Sequence, residues 1–337
     1  MSKVKIAIGY GATCAGCDFS ILDLDERIAE ISEKIEIVFW PIATDFKEKD
    51  LQQMPDKSID IALYHGNVRT EEHLQIAKLL RQKSKILIAF GACACFGGIP
   101  GLADLWNKEE IFKVVYKTTP STINPENKVP TKEYLINGVK ITLPEFYDYV
   151  LPLDSVVDVD YYAPGCPPPV STTEMLLKTI DEYVKYGKLP PKGYVFAGQS
   201  TLCEECDREK PETITIKKFY RPNEIVPDPK KCLLAQGIIC LGPVTRSGCG
   251  ARCIKANMGC RGCMGPTEKV IDPGAKALSY IASLAGVDSE SELGEEGLAK
   301  ILEDIVDPLG TFYRFTLPMS AYLKFGRRLI RSERTKK

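Results

Sequence analysis

An excess of either charge is missing from this chain. Lys plus Arg number 44 and Asp plus Glu 45, for a formal net charge of −1. That balance offers no chain-wide electrostatic case for nucleic acid or for an anionic membrane surface. Long hydrophobic runs are missing too. The longest uncharged stretch, Ile86–Ala103, is broken by Gly91, Gly97, Gly98, Pro100 and Gly101, so it reads as a strand plus a loop and not as a membrane helix. Met1–Gly9 enters a strand-like run with no apolar h-region, no twin arginine and no small-residue cleavage site, so no export leader is expected. The expectation is a cytoplasmic, reducing location, where structural disulfides are rare. Histidine is nearly absent, with 2 residues, whereas cysteine numbers 13 in 337 positions. His65 and His73 read as packing or surface residues. The odd cysteine count argues against complete pairing, so the thiols themselves are the feature to explain.

Hydrophobic residues make up 44% of the chain, enough for a real core. In the first half, apolar runs at Lys3–Gly9, Ile35–Trp40, Ile59–Tyr64, Lys85–Phe90 and Val156–Tyr162 read as strands. Helical spacing lies between them: Phe19, Ile21, Leu22, Ile28 and Ile31, then Glu71–Gln82 capped by Thr70, and later Val170–Tyr186. Such alternation predicts an α/β fold, a parallel sheet covered by helices. The run Gly187-Lys-Leu-Pro-Pro-Lys-Gly193 reads as a boundary, dividing the chain into residues 1–190 and 191–337. Beyond it lie cysteine-dense loops from Cys203 to Cys263, a helical stretch near Gly274–Leu284, an acidic segment near Glu290–Glu303 and a basic end, Arg327–Lys337, that reads as solvated or partner-docking.

Cysteines follow three of the predicted strands: Cys14 and Cys17, then Cys93, then Cys166. Loops leaving the carboxyl ends of parallel strands share one edge of the sheet, so these four thiolates are expected to form one Cys₄ site. Gly11, Gly16, Gly97, Gly98 and Gly165 beside them permit close backbone approach to a bulky inorganic group. Gly9-Tyr10-Gly11 mimics the start of a dinucleotide fingerprint, but Cys14 occupies the third glycine position. The second half holds Cys203-x-x-Cys206 and Cys260-x-x-Cys263, with Cys232, Cys240, Cys249 and Cys253 between. By chain order these divide into Cys203, Cys206, Cys232 and Cys240, and Cys249, Cys253, Cys260 and Cys263. Cys95 is left over and reads as a buried core thiol. Zinc ribbons also use such pairs, but three zinc sites would be structural only, whereas iron–sulfur clusters in series make an electron path.

The motifs Cys14-Ala-Gly-Cys17, Gly91-Ala-Cys93-Ala-Cys95-Phe-Gly-Gly98 and Pro164-Gly-Cys166-Pro-Pro168 resemble those of the small subunits of [NiFe] hydrogenases, and the resemblance runs from Ile6 to about Pro266. It implies a flavodoxin-like N-terminal domain holding a proximal [4Fe-4S] cluster on Cys14, Cys17, Cys93 and Cys166, followed by a loop-rich, cysteine-dense domain with two more clusters. Cys203, Cys206, Cys232 and Cys240 resemble the distal ligands, although cysteine stands at 203 where the family usually has histidine. Cys249, Cys260 and Cys263 resemble the medial ligands. Cys253 stands near where many members carry proline and a three-iron cluster, which here implies a fourth ligand and a [4Fe-4S] cluster. Within the family the chain is most similar to the cytoplasmic F420-non-reducing, viologen-reducing group.

The resemblance implies an electron wire of three [4Fe-4S] clusters that carries electrons from H₂ oxidation at a nickel–iron centre on a separate large subunit. No Asp-Pro-Cys-x-x-Cys motif for that centre is present here. It also implies a soluble acceptor, heterodisulfide reductase, reached through a small iron–sulfur subunit. Asp18, beside Cys17, reads either as a proton relay at the subunit interface or as a helix-start acid stabilised by the helix dipole. Competing readings are a non-catalytic iron–sulfur or zinc scaffold, an NADP- or F420-linked hydrogenase subunit, and a complex-I-like single-cluster subunit. The last leaves eight later cysteines unexplained.

Overall fold

The computed structural model describes residues 3–268, 270–285, 290–321 and 323. Among the described residues nine strands occur in chain order: β1 Val4–Tyr10, β2 Ile35–Phe39, β3 Ile59–His65, β4 Val68–Thr70, β5 Ser84–Phe90, β6 Glu133–Ile136, β7 Val139–Thr142, β8 Phe146–Leu151 and β9 Tyr161–Ala163. The first half contributes helices α1 Gly16–Leu22, α2 Arg27–Ser32, α3 Glu48–Gln53, α4 Glu71–Lys83, α5 Ala92–Phe96, α6 Lys108–Lys113 and α7 Val170–Tyr186. The second contributes α8 Arg252–Lys255, α9 Pro273–Leu284, α10 Glu290–Glu303 and α11 Pro308–Phe312.

Five strands form one sheet in the order β2-β1-β3-β5-β9, with every pair parallel. This is the flavodoxin-like order, so the expected α/β fold is present. β3 and β5 are nearly continuous apolar runs because both of their faces are covered. Alternation sends Ile6, Ile8, Ile61, Leu63 and Ile88 toward Leu176 and Ile180 of α7. The intervening Ala7, Ala62, Tyr64, Leu87 and Ala89 pack toward Ala77 and Leu80 of α4. Thr70 caps α4 as expected, its hydroxyl accepting the His73 N–H at 3.4 Å. β4 pairs with β8, and β6 with β7, as separate two-stranded ribbons.

One element differs from the sequence reading. Val156–Tyr162 is not a full strand: a 3₁₀ turn covers Leu153–Ser155, and pairing with β5 begins only at Tyr161. Just before that pairing the Asp160 N–H donates to Leu87 O and its Oδ2 accepts the Leu87 N–H, both at 2.9 Å, while Val156, Val157 and Val159 satisfy their hydrophobicity by packing on the core.

After α7, which ends at the left-handed Gly187, no sheet forms among the described residues. A second core gathers Leu202, Ile216, Leu233, Leu241, Ile254 and Ile281 around the buried Cys240 and Cys260. Between Cys203 and Cys263 the regular structure is limited to short 3₁₀ turns and the four-residue α8. The basic end, Arg327–Lys337, lies outside the described residues.

Candidate functional site

Parallel register aligns the carboxyl ends of four strands. Tyr10 pairs with His65, His65 with Phe90, and Phe90 with Ala163, so the loops after β1, β3, β5 and β9 leave from one line. Backbone hydrogen bonds then tie two of these loops together: the Gly91 N–H donates to Ala163 O and the Ala92 N–H to Gly165 O, each at 2.7 Å. Cys14 and Cys17 sit on the first loop and α1, Cys93 on α5, and Cys166 just beyond β9.

The four thiols of this edge face one another. Burial first, then the Cys93, Cys166 and Cys14 thiols, push the Cys17 thiol far above its ordinary pKa. Burial, then Cys166 and Cys14, push Cys93 up to about 12. All thirteen cysteines are free thiols. Repulsion among buried thiolates is the electrostatic condition that a bound cationic metal group relieves.

Two glycines shape the space around these sulfurs. At Gly91, with φ +88°, a Cβ would stand 2.4 Å from Cys17 Sγ. At Gly98, with φ +67°, a Cβ would stand 2.4 Å from Cys93 Sγ. Both positions combine a left-handed backbone with a sulfur where a side chain would go, so only glycine serves. Among the described residues, no three His, Cys, Asp or Glu side chains close on a point tightly enough for one metal ion. Zinc holds its sulfurs at about 2.3 Å from a single centre. A Cys₄ iron–sulfur cluster instead gives each sulfur its own iron and spaces them more widely. The all-thiol donor set and the glycine cradle fit a cluster.

In the second half, burial pushes Cys203 up to about 12, with Cys240, Cys232 and Cys206 adding to the rise. Cys249 interacts with Cys253, and Cys263 with Cys249 and Cys253. Cys203 thus lies near Cys206, Cys232 and Cys240, and Cys249, Cys253 and Cys263 near one another, while Cys260 neighbours both Cys240 and Cys263. The groups also touch each other. The Cys166 backbone hydrogen-bonds toward the Cys263 thiol, which burial holds up at about 12. The Cys260 N–H donates to Cys240 Sγ at 3.3 Å.

Asp18 lies in the first turn of α1, only 3% exposed. It is more than a helix-start acid: its Oδ1 accepts the Trp40 indole N–H at 2.7 Å and lies 3.1 Å from His65 Nε2. His65 is fully buried, with Nδ1 3.2 Å from Thr13 Oγ1. Sequence reading passed over His65 and Trp40 as partners of Asp18. The available signal was the position of His65 at the end of β3, level with the cysteine-bearing loops. His73 stays apart; its Nδ1 accepts the Arg69 and Thr70 N–H groups. Cys95 is buried and its thiol donates to Ala89 O at 3.3 Å, as a packed core thiol does. No helix among the described residues is long and apolar enough to cross a membrane.

The family described as NADH ubiquinone oxidoreductase, 20 Kd subunit, matches residues 14–182, a span that holds the first four thiols and ends before Cys203. The F420-non-reducing hydrogenase iron-sulfur subunit of Archaeoglobus profundus is 39% identical over 320 residues, covering 94% of this chain and 96% of that one. An F420-non-reducing hydrogenase subunit of Methanothermobacter thermautotrophicus is 37% identical over 321 residues, covering 94% and 95%. A chain of the [NiFeSe] hydrogenase from Desulfovibrio vulgaris Hildenborough superposes with a TM-score of 0.51 at 16% identity, over 80% of this chain and 95% of that one, and shares the fold.

Proposed function

Because this chain belongs to the small-subunit family of [NiFe] hydrogenases, we propose that it carries electrons from H₂ oxidation on a large subunit through three [4Fe-4S] clusters to a further acceptor. Cys14, Cys17, Cys93 and Cys166 would hold the first, Cys249, Cys253, Cys260 and Cys263 the second, and Cys203, Cys206, Cys232 and Cys240 the third. A cluster bound in each quartet supplies one-electron redox chemistry.

The residues of the chain provide the rest. Their thiolates ligate, Gly91 and Gly98 leave room, and backbone N–H groups donate to sulfur. Such donation stabilises negative charge on the thiolates and so sets how readily an electron is accepted. The observation that supports the reading is a pair of contacts between cysteines assigned to successive quartets. Cys166 of the first reaches Cys263 of the second, and Cys260 of the second reaches Cys240 of the third. A single-cluster reading, drawn from the family match at 14–182 alone, leaves Cys203 to Cys263 without a role.

We further propose a cytoplasmic complex whose acceptor is heterodisulfide reductase, approached through a small iron–sulfur subunit, on the likeness to the F420-non-reducing group. The division into residues 1–190 and 191–337 is proposed on the change from sheet to cysteine-bearing loops. Iron and acid-labile sulfide analysis of the anaerobically purified complex tests the central claim. About twelve irons per chain are expected, reducible by H₂ only when the large subunit is present. Stoichiometric zinc, or no reduction with the partner and H₂ supplied, overturns it. Copurification of the native complex identifies the acceptor.

A further inference from the structure

A cavity of about 370 Å³ opens beside Cys260 and is lined by Arg221, Arg261 and Arg314 together with Asp304 and Asp307. Both carboxylates are engaged with backbone. Asp304 Oδ2 accepts the Phe219 N–H at 3.3 Å, and Asp307 Oδ1 accepts the Gly310 N–H at 2.8 Å as the cap of α11. Among the described residues the arginines in ion pairs are Arg27, Arg69 and Arg81. The three guanidinium groups of the cavity therefore have no described carboxylate at ion-pair distance.

Half-buried guanidinium groups without a paired carboxylate are costly, and Arg261 and Arg314 line the same cavity. Arg314 is held in place by its Nε–H donating to Gly310 O at 3.0 Å, which leaves the outer N–H groups of its fork unspent. Guanidinium forks match the paired oxygens of phosphate and carboxylate, and such charge-assisted bonds are stronger than neutral ones.

We propose that this cavity binds a small oxyanion, a phosphate- or carboxylate-bearing molecule held between Arg261 and Arg314 with Arg221 at the rim. An anion there satisfies the free donors and screens the two like charges from each other. Cys260 lines the same cavity. Occupancy adds negative charge beside its quartet and, if that quartet holds a relay cluster as proposed, makes electron uptake there harder.

The native anaerobic complex is titrated calorimetrically with inorganic phosphate, and separately with citrate to distinguish the two oxyanion classes. Saturable binding at one site per chain is expected for at least one probe. Its affinity should fall at least tenfold in Arg261→Gln and in Arg314→Gln, be partly kept in Arg314→Lys, and be unchanged in Arg27→Gln, with iron content equal throughout. Absence of saturable binding, including the case in which a partner's acidic side chain already fills the cavity, overturns the proposal, as does unchanged affinity in both glutamine variants. A redox titration followed by electron paramagnetic resonance reads the consequence separately. Binding that is lost in Arg314→Gln without any shift in potential upholds the site and detaches it from the relay.

Discussion

The backbone N–H of Cys260 donates to the Sγ of Cys240, 3.3 Å away, so a hydrogen bond joins two residues assigned to different quartets. Burial raises Cys240 and the N–H groups of Gly242 and Cys260 oppose that rise. Gly259 makes the approach feasible: a Cβ there would lie 2.1 Å from Ile239 O. Gly259→Ala is expected to push the 259–260 backbone away from Cys240, removing a donor that favours the reduced state. The midpoint potential of the Cys203–Cys240 group should fall and H₂-driven dye reduction slow by roughly tenfold, about 1.4 kcal/mol on the barrier. Redox titration with iron analysis on the same sample checks this; an unchanged potential at full iron content contradicts it.

The glycine cradle gives a sharper test of the first site. Gly91→Ala places a methyl group against Cys17 Sγ, so loss of about four irons per chain is expected. Gly138→Ala makes the comparison, because its φ is +80° yet nothing lies within 4 Å of the added Cβ. It should lose about 1 kcal/mol of stability and no iron. Equal iron loss in both variants would show that the effect is general backbone strain.

Removal of iron should expose a pH dependence of stability set by the thiols. Burial and neighbouring thiols hold Cys93 and Cys203 up at about 12. An unfolded chain ionises its thiols near pH 8.5. A folded-state pKa above the unfolded value contributes stability below the unfolded value, lost as pH rises toward the folded one. Chelated protein is therefore expected to lose stability between about pH 8.5 and 12, and iron-loaded protein, whose thiolates are already ionised, to lose far less over that window. Denaturant midpoints at pH 7 and pH 10, with and without iron, decide it.

Asp160 yields the opposite sign. Burial opposes its ionisation, but hydrogen bonds from Arg81 at 2.6 Å, the Leu87 N–H at 2.9 Å and Lys192 outweigh this and lower its pKa. Its stabilisation is present above the unfolded carboxylate value of about 3.9 and lost as pH falls through the lower folded value. Asp160→Asn should cost roughly 1–3 kcal/mol at pH 7, and its melting temperature should fall less steeply below about pH 4 than that of the unaltered chain. Parallel acid titrations of the melting temperature show whether the two curves converge.

Around Asp18, deletion leaves two buried donors stranded. Asp18→Ala removes the acceptor of the Trp40 indole and the neighbour of His65, at an expected cost of roughly 1–3 kcal/mol, with iron content retained. A concurrent loss of the first cluster would place Asp18 among the groups that shape it.

Much of this was written in local pattern. Apolar runs and cap residues marked β1, β3, β5, α4 and α7 to within a residue or two, because strand and helix periodicity are properties of adjacent positions. Cysteine spacing likewise marked the CxxC pairs Cys203–Cys206 and Cys260–Cys263, since such a pair is close in space wherever it occurs. Folding alone decided the rest. That the Asp160 carboxylate reaches Leu87 is a contact across the sheet. That His65 meets Asp18, that Cys166 reaches Cys263, and that Arg261 and Arg314 line one cavity depend on strand order and on how the second core lies against its own loops. Contacts between distant positions are set by topology and packing, and no periodicity along the chain records them.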